Sequence, residues 1–187
     1  MPKSGQLFYL IGASGAGKDS LIRYARQHLT KPKSIKFAKR YITRPTDPKS
    51  DGNHHAIELA KFDRLLKNDY FAMHWNRHGC RYGISKEIDT WLDEGRGVVI
   101  NGSRQYLPQA LRDYPGLHAI LVQADHDLLR ERLQARRRDN PANIEERMQS
   151  AKDFIKLENQ TETFTIINNN GPLKLAGKEF LAILQAR

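Results

Sequence analysis

The chain has 187 residues, of which 39% are hydrophobic and 28% are charged, a balance typical of a soluble globular protein of one domain. Its 31 Lys and Arg against 21 Asp and Glu give a formal charge of +10, which attracts polyanions, whether nucleic acids or small polyphosphates. No segment has the roughly 18 consecutive apolar residues of a membrane span, and the single cysteine, Cys80, excludes an intrachain disulfide, so we expect a cytoplasmic protein without a membrane partner.

The predicted strands and helices alternate along the chain. Short apolar runs bounded by Gly, Pro or polar residues are typical of buried strands. They are Gln6–Ile11, Gly97–Asn101, His118–Gln123 and Phe164–Asn168, with Ile35–Thr43 as a weaker candidate. Helical patterns cover Lys18–His28, Ala60–Lys67, Lys86–Glu94, Arg104–Arg112, Asp127–Arg138, Ile144–Glu158 and Leu173–Leu184. This alternation predicts an α/β fold, a parallel sheet with helices on both faces.

Two stretches interrupt the alternation. Thr43–Ser85 is rich in Pro, Asp, Asn and His and has no clear buried strand, which predicts an inserted lobe. Arg130–Asn143 is dense in Arg, which predicts a charged helical hairpin that acts as a short lid, although Arg136–Arg138 alone could equally form a solvated helix face. We therefore expect a single domain with a core (1–42, 86–126 and 159–187), an inserted lobe (43–85) and a lid (127–158).

The segment Gly12-Ala13-Ser14-Gly15-Ala16-Gly17-Lys18 follows the first predicted strand and begins the first predicted helix. Glycine lets backbone N–H groups converge on phosphate oxygens without a side chain in the way. The helix N-terminus adds partial positive charge, and Lys18 can reach the β- and γ-phosphates of ATP. The pattern predicts a P-loop kinase core in which residues 12–20 bind ATP.

The loop departs from the usual P-loop pattern directly after the lysine. The Ser or Thr that normally ligates Mg²⁺ is replaced by Asp19, with Ser20 next. A carboxylate is also a hard oxygen ligand for Mg²⁺. We therefore expect Asp19 and Ser20 to hold Mg²⁺, directly or through water.

Over nearly its whole length the chain resembles the guanylate-kinase-like branch of P-loop kinases. The resemblance rests on Gly12–Leu21, Thr43-Arg44-Pro45, His78-Gly79-Cys80-Arg81-Tyr82-Gly83 and the lid arginines Arg132, Arg136 and Arg147. It implies that Thr43-Arg44-Pro45 grips an acceptor phosphate, that the lid arginines act with Lys18 on the transferring phosphoryl group, and that Asn168–Asn170 border the adenine.

The departures from guanylate kinases disfavour GMP as the acceptor. Phe71–Asn76 contains no carboxylate to bind guanine, and His54-His55 and Asn101 replace a tyrosine and a strand-end acid of those enzymes. The combination Lys18-Asp19-Ser20, His54-His55 and Asn101-Gly102-Ser103-Arg104 resembles the ribose 1,5-bisphosphate phosphokinases of phosphonate degradation. That resemblance implies transfer from ATP to ribose 1,5-bisphosphate, a small phosphorylated sugar, giving 5-phosphoribosyl 1-diphosphate.

Phosphoryl transfer to this acceptor requires cationic side chains more than a general base, because a phosphate monoester is already anionic at neutral pH. Arg44 and Arg40 are the candidates for an acceptor phosphate, since guanidinium binds phosphate in a bidentate manner. The remaining substrate-binding candidates are His54, His55, Arg81, Tyr82, Asn101, Ser103 and Arg104. Because Asn101 replaces the strand-end acid, we hypothesise that the metal-holding carboxylate has moved to Asp19.

Two other functions stay open. One is a guanylate-type nucleoside monophosphate kinase, and the other is a non-catalytic guanylate-kinase-like binding module. Retention of Lys18, its flanking glycines and the lid arginines disfavours the binding module. Nucleic acid is not expected as a partner, because no run of stacking aromatics lies between the basic residues. The sequence does not predict the oligomeric state.

Overall fold

In the computed structural model of the chain, the residues described are 5–31, 33–44, 54–77, 79–135, 141–158 and 164–186, and the side chains of 150–158 are not included. Pro45, His78 and Arg136–Arg138, to which the sequence analysis assigns roles, lie outside these residues. The strands are β1 (Leu7–Ile11), β2 (Ile35–Phe37), β3 (Arg40–Ile42), β4 (His54–Ala56), β5 (Phe71–Arg77), β6 (Cys80–Ser85), β7 (Gly97–Asn101), β8 (His118–Gln123) and β9 (Thr165–Asn168). The helices are α1 (Lys18–His28), α2 (Leu59–Lys67), α3 (Glu87–Asp93), α4 (Leu107–Asp113), α5 (His126–Ala135), α6 (Pro141–Glu158) and α7 (Leu173–Gln185).

The larger sheet is parallel, and its strands lie in the order β2-β7-β1-β8-β9. Ile35 pairs with Gly97 at one edge, and Ile120 pairs with Thr165 at the other. Every residue of β1 and β7 is buried, as expected of parallel strands that are covered on both faces and therefore form continuous apolar runs. The predicted α/β fold with a parallel sheet is confirmed.

A second sheet was not predicted. It contains four strands in the order β4-β3-β6-β5, so the expectation that Thr43–Ser85 lacks a buried strand is wrong. Ile42, Met73 and Ile84 are fully buried on one of its faces. These strands do not form continuous apolar runs, because their apolar residues alternate with His, Asn and Arg in the pattern of half-buried strands, and the pairing of β5 is irregular between Phe71 and Met73.

The predicted strand Ile35–Thr43 is two strands in different sheets. Its first part, β2, pairs with β7 in the parallel sheet, and its second part, β3, pairs with β4 and β6. The N–H of Ala38 donates to the carbonyl of Val99 at 2.9 Å and closes the first pairing before the chain leaves for the second sheet. An apolar pattern cannot indicate this change of sheet, because both parts have strand periodicity.

Two helices, α4 and α6, begin three residues away from their predicted starts. Residues 104–106 form a turn in which the N–H of Tyr106 donates to the carbonyl of Ser103, so α4 begins only at Leu107. Helix α6 begins at Pro141, since proline is well accommodated at the first helical position. Among the residues described, no helix is long and apolar enough to cross a membrane.

The chain divides into two compact units, the first comprising Met1–Tyr9 and Thr30–Leu117 and the second Leu10–Leu29 and His118–Arg187. In the second unit, α1 packs against α7. Gly177 of α7 is buried, and a Cβ atom there would lie 2.4 Å from Cδ1 of Tyr24, whose ring stacks on His28. The contact between α1 and α7 thus depends on a residue without a side chain.

We expect Gly177→Ala to destabilise the protein by about 1–3 kcal/mol, because overpacking outweighs the gain of about 1 kcal/mol in helix propensity. Chemical denaturation monitored by circular dichroism measures the change. Gly116→Ala is the control, since within the described part of the chain no atom apart from those of its neighbours in sequence lies within 4 Å of the position that its new Cβ would take, and it should change stability by less than about 1 kcal/mol. A rise in stability for Gly177→Ala would contradict the packing argument.

Candidate nucleotide and acceptor sites

The loop after β1 has no space for a side chain at two of its glycines, Gly12 and Gly17. Gly17, the N-cap of α1, has a φ of +98°, and a Cβ there would lie 2.2 Å from Nδ2 of Asn169. A Cβ on Gly12 would lie 2.3 Å from the carbonyl oxygen of Val122. Gly17 has no side chain with which to cap α1, and the N-terminus of a helix can bind an anion through its first N–H groups.

Lys18 folds back over this loop. Its Nζ donates to the carbonyl oxygens of Gly12 at 2.7 Å and of Ala13 at 3.0 Å. The ammonium group therefore lies beside the turn that the sequence predicts to hold phosphate. A phosphate oxygen that reached this ammonium would form a charge-assisted hydrogen bond, which is stronger than the bonds to neutral carbonyls.

Two of the predicted lid arginines reach the same loop within the second unit. Arg132 of α5 donates to the carbonyl of Asn169 at 2.9 Å and to that of Gly15 at 3.4 Å, and its burial lowers its pKa. Arg147 of α6 donates to Oγ of Ser14 at 2.8 Å. The structure therefore brings both arginines to the predicted phosphate loop, whereas Arg136 is outside the described residues.

Asn169 was predicted only to border the adenine, but it also fixes the loop. It is 3% exposed and donates from Nδ2 to the carbonyl of Ala16 at 2.8 Å. Asn170, the next residue, exchanges two hydrogen bonds of 2.8 Å with Asp125. The signal that could have found this role is a run of asparagines at the carboxyl end of a core strand, the edge of an α/β sheet where ligands bind.

A cavity of about 300 Å³ lies beside these groups. It is lined by Gly15, Gly17, Ser20, Arg132, Ala135, Asn169 and Leu173. Glycine, aliphatic carbon and a few polar atoms are a surface suited to the flat, partly apolar nucleoside of a nucleotide. The cavity borders the loop, so it could hold the nucleoside of a nucleotide whose phosphates occupy the loop.

The proposed Mg²⁺ ligands lie on the first turn of α1 and are half-exposed. Burial lowers the pKa of Arg26, and the Asp19 carboxylate opposes that effect; Oγ of Ser20 accepts a hydrogen bond of 3.4 Å from Arg23. The residues described contain no cluster of three His, Cys, Asp or Glu side chains. Asp19 and Ser20 fit Mg²⁺, which commonly takes one or two protein oxygens, substrate phosphates and water.

The acceptor candidates of the smaller sheet do not all share a face. Arg40 pairs with His54, and Ile42 pairs with Tyr82, so Arg40, His54 and Tyr82 point to the same side. Tyr82 there stacks on Trp75 with 5.6 Å between ring centroids. The predicted residues His55 and Arg81 belong to the opposite face.

The opposite face is occupied by aromatic and ionic contacts. The ring of His55 lies 4.9 Å from that of Tyr41, and burial together with the hydrogen bond between the hydroxyls of Tyr41 and Tyr70 raises the pKa of Tyr41 to about 12. Arg81 forms an ion pair with Asp63. The adjacent histidines, which the sequence treats as a pair, are thus separated by the pleat of β4.

The remaining acceptor candidates follow β3 and β7. Asn101 and Ser103 are each 4% exposed, and Arg44 and Arg104 are half-exposed. Oγ of Ser103 is buried and has no hydrogen-bond partner among the described residues. Trp75 bridges the smaller sheet and the turn after β7, since its ring also lies 5.7 Å from that of Tyr106.

The loop, its arginines and the parallel sheet define a P-loop kinase of the guanylate-kinase-like fold. The fold matches a guanylate kinase from Anaplasma phagocytophilum with a TM-score of 0.73 over 99% of this chain and 87% of that chain, at 17% identity. A gluconokinase from Sinorhizobium meliloti matches less well, with a TM-score of 0.54 at 16% identity over 100% of this chain and 94% of that chain. No family model matches the chain.

Curated relatives identify the family. The chain is 47% identical to the ribose 1,5-bisphosphate phosphokinase PhnN of Thiobacillus denitrificans over 96% of its own length and 93% of that protein. It is 45% identical to the protein of that name in Psychromonas ingrahamii over 98% of its own length and 92% of that protein. The chain therefore belongs to the ribose 1,5-bisphosphate phosphokinase family.

Gly17→Ala should weaken ATP binding at least about tenfold, or ~1.4 kcal/mol, because the new Cβ strains the backbone and displaces Asn169. Titration calorimetry with ATP measures this. Gly79→Ala is the matched control: its φ is +69°, but no atom of the described residues, its chain neighbours aside, lies within 4 Å of the added Cβ, so the variant should have the backbone strain without a loss of ATP affinity. Equal ATP affinity in the two variants would contradict the role of this close approach.

Proposed function

We propose that this protein transfers the γ-phosphoryl group of ATP to the 1-phosphate of ribose 1,5-bisphosphate. An oxygen of the acceptor phosphate attacks the γ-phosphorus, the bond from that phosphorus to the bridging oxygen breaks, and ADP leaves. The product is 5-phosphoribosyl 1-diphosphate. The observation that carries the acceptor is the 47% identity to a relative named for this substrate.

This reaction needs positioning and charge stabilisation rather than a general base. The acceptor phosphate carries about −1.5 to −2 charge at pH 7 and is already a nucleophile. Charge spreads over the transferring group in the transition state, and cations with fixed positions stabilise it. Those requirements favour an arrangement of Lys18, Arg132 and Arg147 around the loop.

On the nucleotide side, the loop N–H groups and Lys18 would bind the ATP phosphates. Arg132 and Arg147 now donate to Gly15, Asn169 and Ser14, and a phosphoryl oxygen would replace these neutral acceptors with a stronger one. Arg136 is assigned the same role as Arg132 and Arg147 only because of the family resemblance. Asp19 and Ser20 would hold Mg²⁺, which would supply positive charge to stabilise the ATP phosphates.

On the acceptor side, Arg40 and Arg44 are proposed to bind a phosphate of the sugar. Tyr82 and His54 share the face of Arg40, which supports a role for them beside the same ligand. Arg81 would first have to leave Asp63, and His55 lies on the other face, so these two are the weaker members of the predicted set. Asn101, Ser103 and Arg104 would contribute from the end of β7.

A guanylate-type kinase is the second candidate, favoured by the fold match to a guanylate kinase. β5 lacks the carboxylate that would bind guanine, since its sequence is Phe71-Ala72-Met73-His74-Trp75-Asn76-Arg77. A binding module without activity fits poorly with a loop on which Lys18 and two arginines converge. Because ATP and sugar phosphates are cytoplasmic metabolites, we propose that the protein works in the cytoplasm.

With purified protein, ATP and Mg²⁺, we expect ADP release with ribose 1,5-bisphosphate at a kcat/KM at least about 100-fold above that with GMP. AMP, UMP and ribose 5-phosphate serve as further acceptors in the same assay. Preferred turnover of GMP would favour the guanylate-type reaction. Absence of turnover with every acceptor would support the binding module.

Asp19→Ala should lower Mg²⁺-dependent turnover at least about 100-fold, as expected when a charge that acts in the transition state is removed. Calorimetry without metal should show unchanged ATP affinity, whereas the gain in affinity on adding Mg²⁺ should be lost. Asp127→Ala is the control, because that side chain is 99% exposed on α5. Near-normal turnover of Asp19→Ala would contradict the proposal that the metal ligand has moved to the loop.

A further inference from the structure

Tyr9 holds the backbone of one residue with a single hydroxyl group. It is in the middle of β1 and 0% exposed. Its phenol oxygen accepts a hydrogen bond from the N–H of Ser103 at 3.0 Å and donates one to the carbonyl of the same residue at 2.9 Å. Both polar groups of the Ser103 backbone are therefore fixed by this side chain, which we call the Tyr9 clamp.

The fit around the Tyr9 clamp is close. A Cβ on Gly102 would lie 2.1 Å from Cζ of Tyr9, so the ring lies directly against the backbone before Ser103. Burial raises the pKa of Tyr9 well above its usual value, so the phenol stays protonated and keeps both hydrogen bonds near neutral pH. Phenylalanine would fill the same space in the core, so packing alone does not require the hydroxyl group.

The Tyr9 clamp fixes the turn that carries the strand-end acceptor candidates. The carbonyl of Ser103 also accepts from the N–H of Tyr106 at 3.2 Å and closes the turn before α4. Arg104 lies inside this turn. The hydroxyl of Ser103 is buried, and it lacks a hydrogen-bond partner in the part of the chain that the structure describes. A polar group of the acceptor substrate could supply that hydrogen bond.

Tyr106 connects this turn to the smaller sheet. Its ring contacts Trp75, and Trp75 stacks on the acceptor candidate Tyr82. A shift of the turn would therefore displace Ser103 and Arg104 and disturb the aromatic contact to Tyr82. The Tyr9 clamp joins this turn to the fully buried strand β1. It therefore helps to fix the positions of Ser103, Arg104 and Tyr106 together.

We propose that Tyr9 is a positioning residue for the acceptor, one that acts through Ser103 and Arg104 without touching the substrate. This inference rests on the proposed transfer to ribose 1,5-bisphosphate. It assigns a role in acceptor binding to a core residue of β1. It also accounts for a buried hydroxyl on a strand whose other residues, Leu7, Phe8, Leu10 and Ile11, are apolar.

The test compares Tyr9→Phe with the wild type in steady-state kinetics and ATP calorimetry. We expect the KM for ribose 1,5-bisphosphate to rise about tenfold, since small displacements of binding groups have effects of this size or larger. ATP affinity should be unchanged, because the predicted phosphate loop and its arginines belong to the other compact unit. A loss of folding alone would not separate the two substrates in this way.

Tyr114→Phe is the matched control. It removes a phenol that donates to Asp89 at 2.7 Å in the same unit. It should lower stability without changing the KM for the acceptor. If Tyr9→Phe raises the acceptor KM no more than Tyr114→Phe does, the clamp is only structural and the proposal is overturned.

The wild type provides a second measurement that does not depend on the variant folding. Ribose 1,5-bisphosphate should slow amide hydrogen exchange at residues 101–106 at least about threefold, whereas ADP alone should not. Unchanged exchange on adding the acceptor would overturn the proposal. Absence of any wild-type turnover with this acceptor would instead overturn the proposed function, so the two failures can be told apart.

Discussion

The proposed nucleotide site of this protein depends on how the carbonyl groups of one loop are satisfied. The carbonyls of Gly12 and Ala13 accept from Lys18, that of Gly15 accepts from Arg132, and that of Ala16 accepts from Asn169. The N–H of Ala16 donates to the carbonyl of Ala13 at 3.2 Å, and a loop whose carbonyls bind side-chain donors can turn its other N–H groups toward an anion. The three donors come from α1, α5 and the end of β9, so the site exists only when these elements pack together.

The proposed acceptor site depends on a different kind of constraint, the burial of β1. A hydroxyl group in a fully buried strand is destabilising unless its hydrogen bonds are made, and Tyr9 makes both of them to Ser103. The strand thereby fixes the end of β7, and its carboxyl end continues into the phosphate loop. Replacing one residue of β1 can therefore affect acceptor binding through backbone position alone, while core packing is conserved.

The sequence predicted the parallel sheet well because its strands are continuous apolar runs, and their ends agree with the structure within a residue for β1, β7, β8 and β9. It did not predict the smaller sheet, whose strands mix His, Asn and Arg with buried Met73 and Ile84. The loop was predictable from glycine spacing, since Gly12 and Gly17 lie where a Cβ atom would clash with Val122 or Asn169. The separation of His54 from His55 and the clamp of Tyr9 on Ser103 were not, because both depend on strand register and on contacts between residues far apart in the chain.

The lid arginines illustrate why residue type is not enough to assign chemistry. Arg130 pairs with Glu145, whose hydrogen bond and charge raise the pKa of Arg130. Arg132, two residues later, donates to the carbonyls of Gly15 and Asn169, and burial lowers its pKa. A cation that has lost water and is bonded to neutral oxygens gains more from an arriving phosphoryl group than one already neutralised by a carboxylate. The partner of each arginine, rather than its place in an Arg-rich segment, therefore distinguishes a group suited to phosphoryl transfer from one that stabilises the contact between α5 and α6.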